Sequence, residues 1–445
     1  MTPAVQRAHD RIAAQRTQLP MMYGAVDLEH QPERFTDDAS VAVVTDRAPM
    51  GVTVTAEDIE LVRAYTLLGD AVADAYAALI PQYGFRGLVD RLVLACERGL
   101  SAVEDAPPEL VAFIQAMEAT PAWVDMGLVE QGARRDRIGA AILAPYAIRG
   151  AFIATFLNKY SALPMALTGT LSNETAARRV NETGTFFATT VLPGALERYG
   201  AGFKAAAMVR LMHSMVRFNA LRSGRWDPAV YGVPIPQVDQ MPAGLIPVFL
   251  MAFKLMGQGR TAFSADERAS VELARYRCFL LGLPEELLAT TPEGVVRIMT
   301  ARNSTLRAGF DDATCGVLIR ATLAAYLPQT RSAASRLHNA IETRFAKAFF
   351  LQHFLKGDRE LAGRMGVKIT GSDMAVAGLV ALGITVQTVL FRAAGRIPGL
   401  RSLADAVLVS RIKSLLARYG HAEFTSDGSN YRPSHGAGAA HAPAG

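Results

Sequence analysis

The sequence predicts an all-α protein with a single large helical domain, and three observations favour this class. Apolar residues recur at helical spacing over most of the chain, beginning behind Thr55, which forms an N-terminal capping signature with Asp58. Only residues 41–54 show a weak strand-like pattern, and a proline and a glycine interrupt it. Half of the 445 residues are hydrophobic, which is ample for one large core.

The helices follow one another along the chain, and two of them begin with recognisable N-terminal capping residues. Ser264 with Glu267 forms a capping box, and Thr291 precedes Pro292 at a first helical position. After the helix that starts at Thr55, helices are predicted at about 84–100, 107–118, 126–160, 173–191, 203–222, 243–257, 264–281, 293–304, 310–327, 333–356, 372–394 and 401–419.

This pattern divides the chain into three parts. Residues 1–56 are predicted to be irregular, and residues 57–420 to form the all-α domain. Residues 421–445 are rich in Gly, Ala, Ser, His and Pro, which predicts a disordered tail. No sequence period of 20–50 residues repeats, so a solenoid is not expected.

The charge distribution limits the classes of partner. A net charge of +5 is a mild excess, and no dense basic run is present, so we expect no nucleic-acid partner. The basic residues at 392–413 lie beside apolar segments, which favours peripheral membrane contact over DNA. The N-terminus has no apolar secretion segment, which predicts a cytoplasmic protein that could associate with a membrane. No oligomeric state follows from the sequence.

One apolar stretch raises the membrane question directly. Residues 374–391 form an uncharged apolar run whose length is at the lower limit for spanning a membrane. The apolar run at 243–255 is too short to span one. The expectation is that 374–391 is a buried helix of the core, and membrane association is the alternative.

The three cysteines define no disulfide framework or zinc site. Cys96, Cys278 and Cys315 are widely spaced in apolar surroundings, which is typical of buried structural thiols. No Cys-x-x-Cys-His motif is present, so covalent attachment of a heme is excluded.

Among eight histidines, His213 has the most unusual setting. It lies on an apolar helix face lined by methionines, whereas His338 and His353 lie on amphipathic helices and are expected to have packing roles. Such an imidazole could present a neutral nitrogen to iron, and Met212 could pack against a porphyrin edge. A hydrogen-bonded core histidine is the alternative.

Two arginines flank this histidine on the same helix. Arg210 precedes His213 by three residues, and Arg217 follows it by four. Arginine suits carboxylates through its fork of donors, so both could bind heme propionates. Alternatively, both arginines face solvent.

The Arg-x-x-His pattern followed by a second arginine resembles the heme-ligand helix of the latex-clearing protein (rubber oxygenase) family. This family includes the fungal membrane-bound oxygenase of mycophenolic acid biosynthesis. Three further segments resemble the family in the same order: 121–125 (Pro-Ala-Trp-Val-Asp), 167–171 (Leu-Thr-Gly-Thr-Leu) and 231–239 (Tyr-Gly-Val-Pro-Ile-Pro-Gln-Val-Asp). The resemblance implies a globin-like helical core and one non-covalent heme b (iron protoporphyrin IX) with His213 as the proximal iron ligand.

The resemblance also points to distal residues, with one departure. Where rubber enzymes have Arg-x-x-Lys-Thr, this chain has Arg179, Glu182 and Thr183, and no carboxylate stands just before the 167–171 segment. These departures weigh against cleavage of natural rubber itself. Burial would raise the proton affinity of Glu182 and Arg179 would lower it, so Glu182 could act as the acid or base. The competing interpretation is a surface Arg179–Glu182 salt bridge of little weight.

We therefore expect a heme-dependent, dioxygenase-like oxygenase that uses dioxygen as co-substrate. Its substrate would be a small apolar, unsaturated and isoprenoid-like molecule, and the reaction oxidative C=C cleavage or related oxygen insertion. Two alternatives remain open: a non-catalytic heme carrier or gas sensor, and heme-dependent hydroxylation or rearrangement of a biosynthetic intermediate. Met212 or Lys159 could complete six-coordination in the carrier or sensor.

Overall fold

The computed structural model describes residues 2–20, 22–23, 26–27, 30–36, 52–167, 173–307 and 309–420. Within these residues the protein is all-α, with an isolated bridge between Phe35 and Leu306 and no strand. The α-helices are α1 Pro3–Arg16, α2 Ala56–Thr66, α3 Ala71–Ala77, α4 Ile80–Arg98, α5 Pro108–Glu118, α6 Met126–Ile138, α7 Ala144–Ala154, α8 Lys159–Leu167, α9 Asn173–Thr189, α10 Ala201–Arg222, α11 Pro228–Tyr231, α12 Gln237–Gly257, α13 Ala265–Leu280, α14 Pro292–Thr305, α15 Val317–Ala324, α16 Ala333–Phe354, α17 Arg359–Arg364, α18 Gly371–Ala394 and α19 Pro398–Tyr419.

Two hydrophobic clusters make up most of the core, and α9 contributes to both of them. The larger cluster contains most buried residues of α10 and α12, and the smaller one includes residues of α7, α15 and α16. Val180 of α9 is buried in the smaller cluster, whereas Phe186, two turns later, is buried in the larger one. Helix α9 therefore lies where the two clusters meet.

Glycine permits the closest helix contacts in each part of the molecule. A Cβ at Gly132 of α6 would collide with the carbonyl oxygen of Ala269 on α13. A Cβ at Gly150 of α7 would likewise collide with the carbonyl oxygen of Ala346 on α16. These two backbones approach their partners closely because the side chain is absent.

The predicted helix starts are confirmed. Thr55 and Asp58 form a reciprocal capping box at α2, as Ser264 and Glu267 do at α13. Thr291 caps α14 by accepting a hydrogen bond from the backbone N–H of Gly294.

The predicted 126–160 helix is not one regular helix. It consists of α6, a π-helical segment at Gly139–Leu143 and α7, and it ends at Ala154. The π segment inserts an extra residue into the helical repeat, which changes the face that the following turns present. A new helix, α8, then begins at Lys159.

The predicted irregular character of residues 1–56 is wrong for the first segment, which forms helix α1. This helix is mainly polar, so hydrophobic periodicity did not reveal it. It is held by tertiary contacts: Arg7 pairs with Glu286 at 2.7 Å, and the side chain of Gln15 donates to the carbonyl of Leu67 at 3.0 Å. The strand-like pattern at 41–54 lies mostly outside the described residues, and the predicted tail at 421–445 lies wholly outside them.

The expectation that 374–391 is a buried core helix is also wrong. Helix α18 covers this run, and only 6% of its most apolar window is buried. By length and composition it is one of three helices among the described residues that could cross a membrane, together with Met126–Ala154 and Gln237–Gly257, whose windows are both 39% buried. The run at 243–255, which was expected to be too short, lies within the 21-residue helix Gln237–Gly257. The outer face of α18 carries exposed leucines and valines where a water-facing helix would carry polar residues.

Candidate functional site

The predicted ligand, His213, lies in the middle of α10 and faces Gln240 of α12. Its Nδ1 is 3.0 Å from Oε1 of Gln240. The ring keeps some accessible surface although protein surrounds it closely. Burial lowers the pKa of His213 to about 4, the Gln240 hydrogen bond partly opposes this, and the charges of Arg217 and Arg179 lower it further. The imidazole is therefore neutral at physiological pH.

A chain of hydrogen bonds fixes the tautomer of His213. The backbone carbonyl of Gly69 can only accept, and it accepts from Nε2 of Gln237 at 3.0 Å. The remaining amide oxygen of Gln237 accepts from Nε2 of Gln240 at 3.2 Å. Oε1 of Gln240 is left to face His213, so Nδ1 carries the proton and donates it. The lone pair is consequently on Nε2, the nitrogen that would bind a metal.

The two arginines that flank His213 are buried and paired with carboxylates on α3. Nη2 of Arg210 donates to Oδ1 of Asp70 at 2.9 Å, and Nε of Arg217 donates to Oδ1 of Asp74 at 3.0 Å. Neither arginine faces solvent, so that alternative is wrong. Their predicted role with propionates stays a prediction, and any such contact would share the guanidinium groups with Asp70 and Asp74.

Arg217 retains one buried donor for which the described residues provide no partner. Its Nη1 donates to the carbonyl oxygens of Pro234 and Ile235, at 3.0 and 2.8 Å. Its Nη2 is buried and makes no hydrogen bond. A buried donor without a partner is costly, and an anionic group of a ligand would satisfy it.

These features fit a heme better than a bare metal ion. Within the part of the chain that the structure describes, no three His, Cys, Asp or Glu side chains could together hold a metal ion. Iron held by His213 alone would need a cofactor that brings its other ligands, as a porphyrin does. The neutral imidazole, its oriented Nε2 and the free donor of Arg217 meet the requirements of such a group. Met212 is buried in the larger hydrophobic cluster, and its contact with a porphyrin stays a prediction.

The predicted distal residues lie together on α9, which packs beside α10. Nη1 of Arg179 donates to Oε2 of Glu182 at 3.2 Å. Glu182 is 7% exposed, so this is not a surface salt bridge, and Thr183 beside it is half-buried. Burial raises the pKa of Glu182, with Arg179 and Arg178 acting in the opposite direction. The positive charge of Arg179 also contributes to the lowered pKa of His213.

Three other predicted features give different outcomes. His338 is half-buried beside Tyr146, and His353 packs on the ring of Phe349 at a centroid distance of 4.4 Å, as packing roles require. The three cysteines are buried and free. The turn at 167–171 falls almost wholly outside the described residues.

Sequence reasoning missed the residues that orient the site. Gln237 was noted only as part of the 231–239 match, and Gln240 lies just beyond that segment. Asp70 and Asp74 were not noted at all, although two carboxylates four residues apart at a helix start are a recognisable signal. Asp70 and Asp74 pair with Arg210 and Arg217 only because the two helices pack together, and the sequence does not predict that packing.

Comparison with known proteins gives two matches. The family model described as "ER-bound oxygenase mpaB/B'/Rubber oxygenase, catalytic domain" matches residues 140–386, which include α9, α10 and α12. The solved structure titled "Structure of Latex Clearing Protein LCP in the closed state" is similar in fold, with a TM-score of 0.56 and 16% identity. The similarity covers 79% of this chain and 91% of that chain. No curated protein matches this chain.

Proposed function

Because the chain belongs to the family of ER-bound mpaB/B' oxygenases and rubber oxygenases, we propose that it is a heme b-dependent, dioxygenase-like oxygenase with His213 as the iron ligand. The observation that carries this proposal is the hydrogen-bond chain from Gly69 through Gln237 and Gln240 to His213. A hydrogen bond from the second ring nitrogen to a neighbouring side chain, which orients the imidazole, is typical of metal-binding histidines.

The residues around His213 would hold the cofactor in place. A bound heme would supply the iron that activates dioxygen. Asp70 and Asp74 hold Arg210 and Arg217 in place, and the free Nη2 of Arg217 would bind an anionic edge of the cofactor. Met212 and Met215, which neighbour His213 on α10, are buried in the larger hydrophobic cluster and would make the surroundings of a bound heme apolar.

On α9, Glu182 would donate or accept protons during the reaction. Burial shifts its pKa upward, which allows the carboxyl group to hold a proton closer to neutral pH than an exposed glutamate does. Its ion pair with Arg179 fixes the position of Oε2. A half-buried Thr183 lies one residue further along the same helix, where an apolar substrate would pass.

We propose a small apolar, isoprenoid-like substrate, cleaved at a C=C bond or modified by related oxygen insertion, with dioxygen as co-substrate. The family includes ER-bound oxygenases and rubber oxygenases, which supports this class of substrate. Hydroxylation or rearrangement of a biosynthetic intermediate is the second candidate, because Glu182 replaces the lysine of the rubber enzymes. A non-catalytic carrier or sensor has no evident need of a buried carboxylate. A globin-like core and residence in the cytoplasm stay predictions, as does the domain division.

The first test is an absorption spectrum of the purified protein and of His213→Ala. Both would be recorded as isolated, after reduction and after addition of carbon monoxide. We expect a Soret band in the wild type that shifts with carbon monoxide and is lost or altered in the variant. External imidazole should partly restore the band in His213→Ala by occupying the space that the side chain leaves. Absence of a Soret band from the wild type, even after heme reconstitution, would refute the proposal.

A further inference from the structure

Helix α18 has an outer face made mainly of apolar side chains, and it is the most exposed apolar surface of the described residues. Leu379, Leu382 and Leu390 are 72%, 62% and 62% exposed. No charged residue occurs from 374 to 391. Exposed apolar surface of this extent is unusual for a water-soluble face and marks an interaction site.

Three polar side chains of α18 have partners within the protein. The hydroxyl of Thr385 donates to the carbonyl of Ala381 at 2.8 Å, and Oε1 of Gln387 accepts from Arg411 of α19 at 2.8 Å. At the start of the helix, Asp373 is buried and pairs with Lys347 at 3.5 Å. The outer face is therefore compatible with an apolar environment that offers no hydrogen bonds.

The apolar surface continues onto the first turns of α19. Leu403 and Val407 are 63% and 37% exposed, whereas Leu408 and Ile412, on the opposite side of this helix, are buried against the body of the protein. Helices α18 and α19 thus form one hairpin with a common outer surface. Because α18 packs along α16 on its inner side, it lies along the protein surface and does not project from it.

The charges that border this surface are all of one sign. The charged residues of the hairpin region that remain exposed are basic: Lys368, Arg392, Arg396, Arg401, Arg411 and Lys413. Of the two acidic residues, Asp373 is buried, and Asp405 is paired with Arg137 at 2.8 Å. An apolar face bordered by cations complements a bilayer surface that contains anionic lipids, because each basic residue near such a surface adds attraction.

We propose that the α18–α19 hairpin docks the protein on an anionic lipid bilayer, with the outer face of α18 lying in the interface between headgroups and acyl chains. The bilayer would also be the place where an apolar substrate accumulates. The docking stands apart from the oxygenase proposal, since vesicle binding requires neither heme nor turnover.

The test is flotation of the full-length protein with vesicles of phosphatidylcholine, with and without phosphatidylglycerol. We expect binding to vesicles that contain phosphatidylglycerol, and weaker binding at high salt because ions screen the basic residues. Leu382→Glu should weaken binding about tenfold or more, because a buried carboxylate is costly in lipid. Leu337→Glu is the matched control: Leu337 is 63% exposed on α16 and should bind as the wild type does.

A second pair of variants tests the charges. Arg396→Glu should reduce binding to phosphatidylglycerol vesicles several-fold and leave the weak binding to pure phosphatidylcholine unchanged. Arg359→Glu, at an exposed arginine of α17, should have no effect. Circular dichroism of every variant would verify that it is folded.

A tryptophan at position 382 reports insertion directly. Leu382→Trp fluorescence should be quenched by brominated acyl chains, and a tryptophan in place of Leu337 should not. The proposal is overturned if the wild type does not float with any vesicle, or if Leu337→Glu weakens binding as much as Leu382→Glu. It is also overturned if Leu382→Glu converts a dimer into a monomer and leaves vesicle binding intact, because the face would then bind a second copy of the chain.

Discussion

Gln240 presents its amide oxygen to Nδ1 of His213 at 3.0 Å, and this one contact decides which nitrogen of the imidazole is free. The amide cannot turn around without losing its bond to Gln237, which is itself held by the carbonyl of Gly69. The orientation of His213 therefore depends on residues that do not touch it.

We expect Gln240→Leu to weaken heme binding about 10- to 100-fold, the usual effect of removing a partner of a metal-bound histidine. Gln237→Leu should act in the same direction but more weakly, because it works through Gln240. Gln258→Leu, at the exposed end of α12, is the control and should bind heme normally. Heme titration followed at the Soret band measures all three. Equal effects of Gln240→Leu and Gln258→Leu would contradict the role of the hydrogen-bond chain.

Glu182→Gln should lower turnover by about 100-fold or more while the heme spectrum and carbon monoxide binding are retained. The physical reason is that glutamine keeps the shape of the side chain but cannot exchange a proton. Glu360→Gln, at an exposed glutamate of α17, is the matched control and should retain full activity. Product formation from a polyene substrate under steady-state conditions is the measurement.

The pH dependence of activity follows from the raised pKa of Glu182. If the protonated carboxyl group is the proton donor, activity falls as the pH rises through that pKa. Arg179→Ala removes a positive charge that opposes the rise in the pKa of Glu182. The alkaline limb of the pH–activity profile should therefore move to higher pH. A limb that stays in place in the variant would show that another group controls the profile.

Asp74→Asn should destabilise the protein by about 3–5 kcal/mol, because it leaves the guanidinium group of Arg217 buried and without its counter-ion. The control is Asp312→Asn, which breaks an exposed ion pair with Arg320 and should leave stability unchanged. Urea unfolding of the heme-free proteins gives the comparison. Similar midpoints for both variants would show that the buried pair contributes little.

The stability of the heme-free protein should decrease in acid partly through His213. Its pKa is lowered in the folded state from 6.5 to about 4, so the unfolded chain takes up a proton first as the pH falls. The contribution of His213 to the free energy of unfolding is fully present above about pH 6.5. It is lost progressively down to about pH 4, by roughly 3 kcal/mol in total. The difference in unfolding free energy between wild type and His213→Phe should change by this amount across that interval. A difference that is independent of pH would contradict the low pKa.

The sequence was sufficient for the helical class and for the capping boxes, because both depend on residues that are close in the chain. Local spacing and family resemblance also pointed to His213, Arg179 and Glu182, and the roles of these three residues stay predictions. The partners of Arg210 and Arg217 could not be predicted, since Asp70 and Asp74 lie about 140 residues away. Helix α1 was missed because most of its residues are polar, although Val5, Ala8 and Ile12 are buried in the larger hydrophobic cluster.

The exposure of α18 shows a different limit. An uncharged run of this length is compatible with a buried helix and with a membrane-facing one, and hydrophobicity alone does not separate them. The packing of the neighbouring helices decides the matter, because α16 and α19 cover only the inner side of α18.

Gly69 has a consequence for how this protein can evolve. Its carbonyl begins the hydrogen-bond chain to His213, and its amide donates to Gln15 of α1 at 2.7 Å. A Cβ at this position would collide with Tyr23, Asp74 and Arg217. One residue without a side chain thus serves two separate networks. Mutational libraries that aim to change the substrate range should leave position 69 fixed, because adaptation there would have to re-establish both networks at the same time.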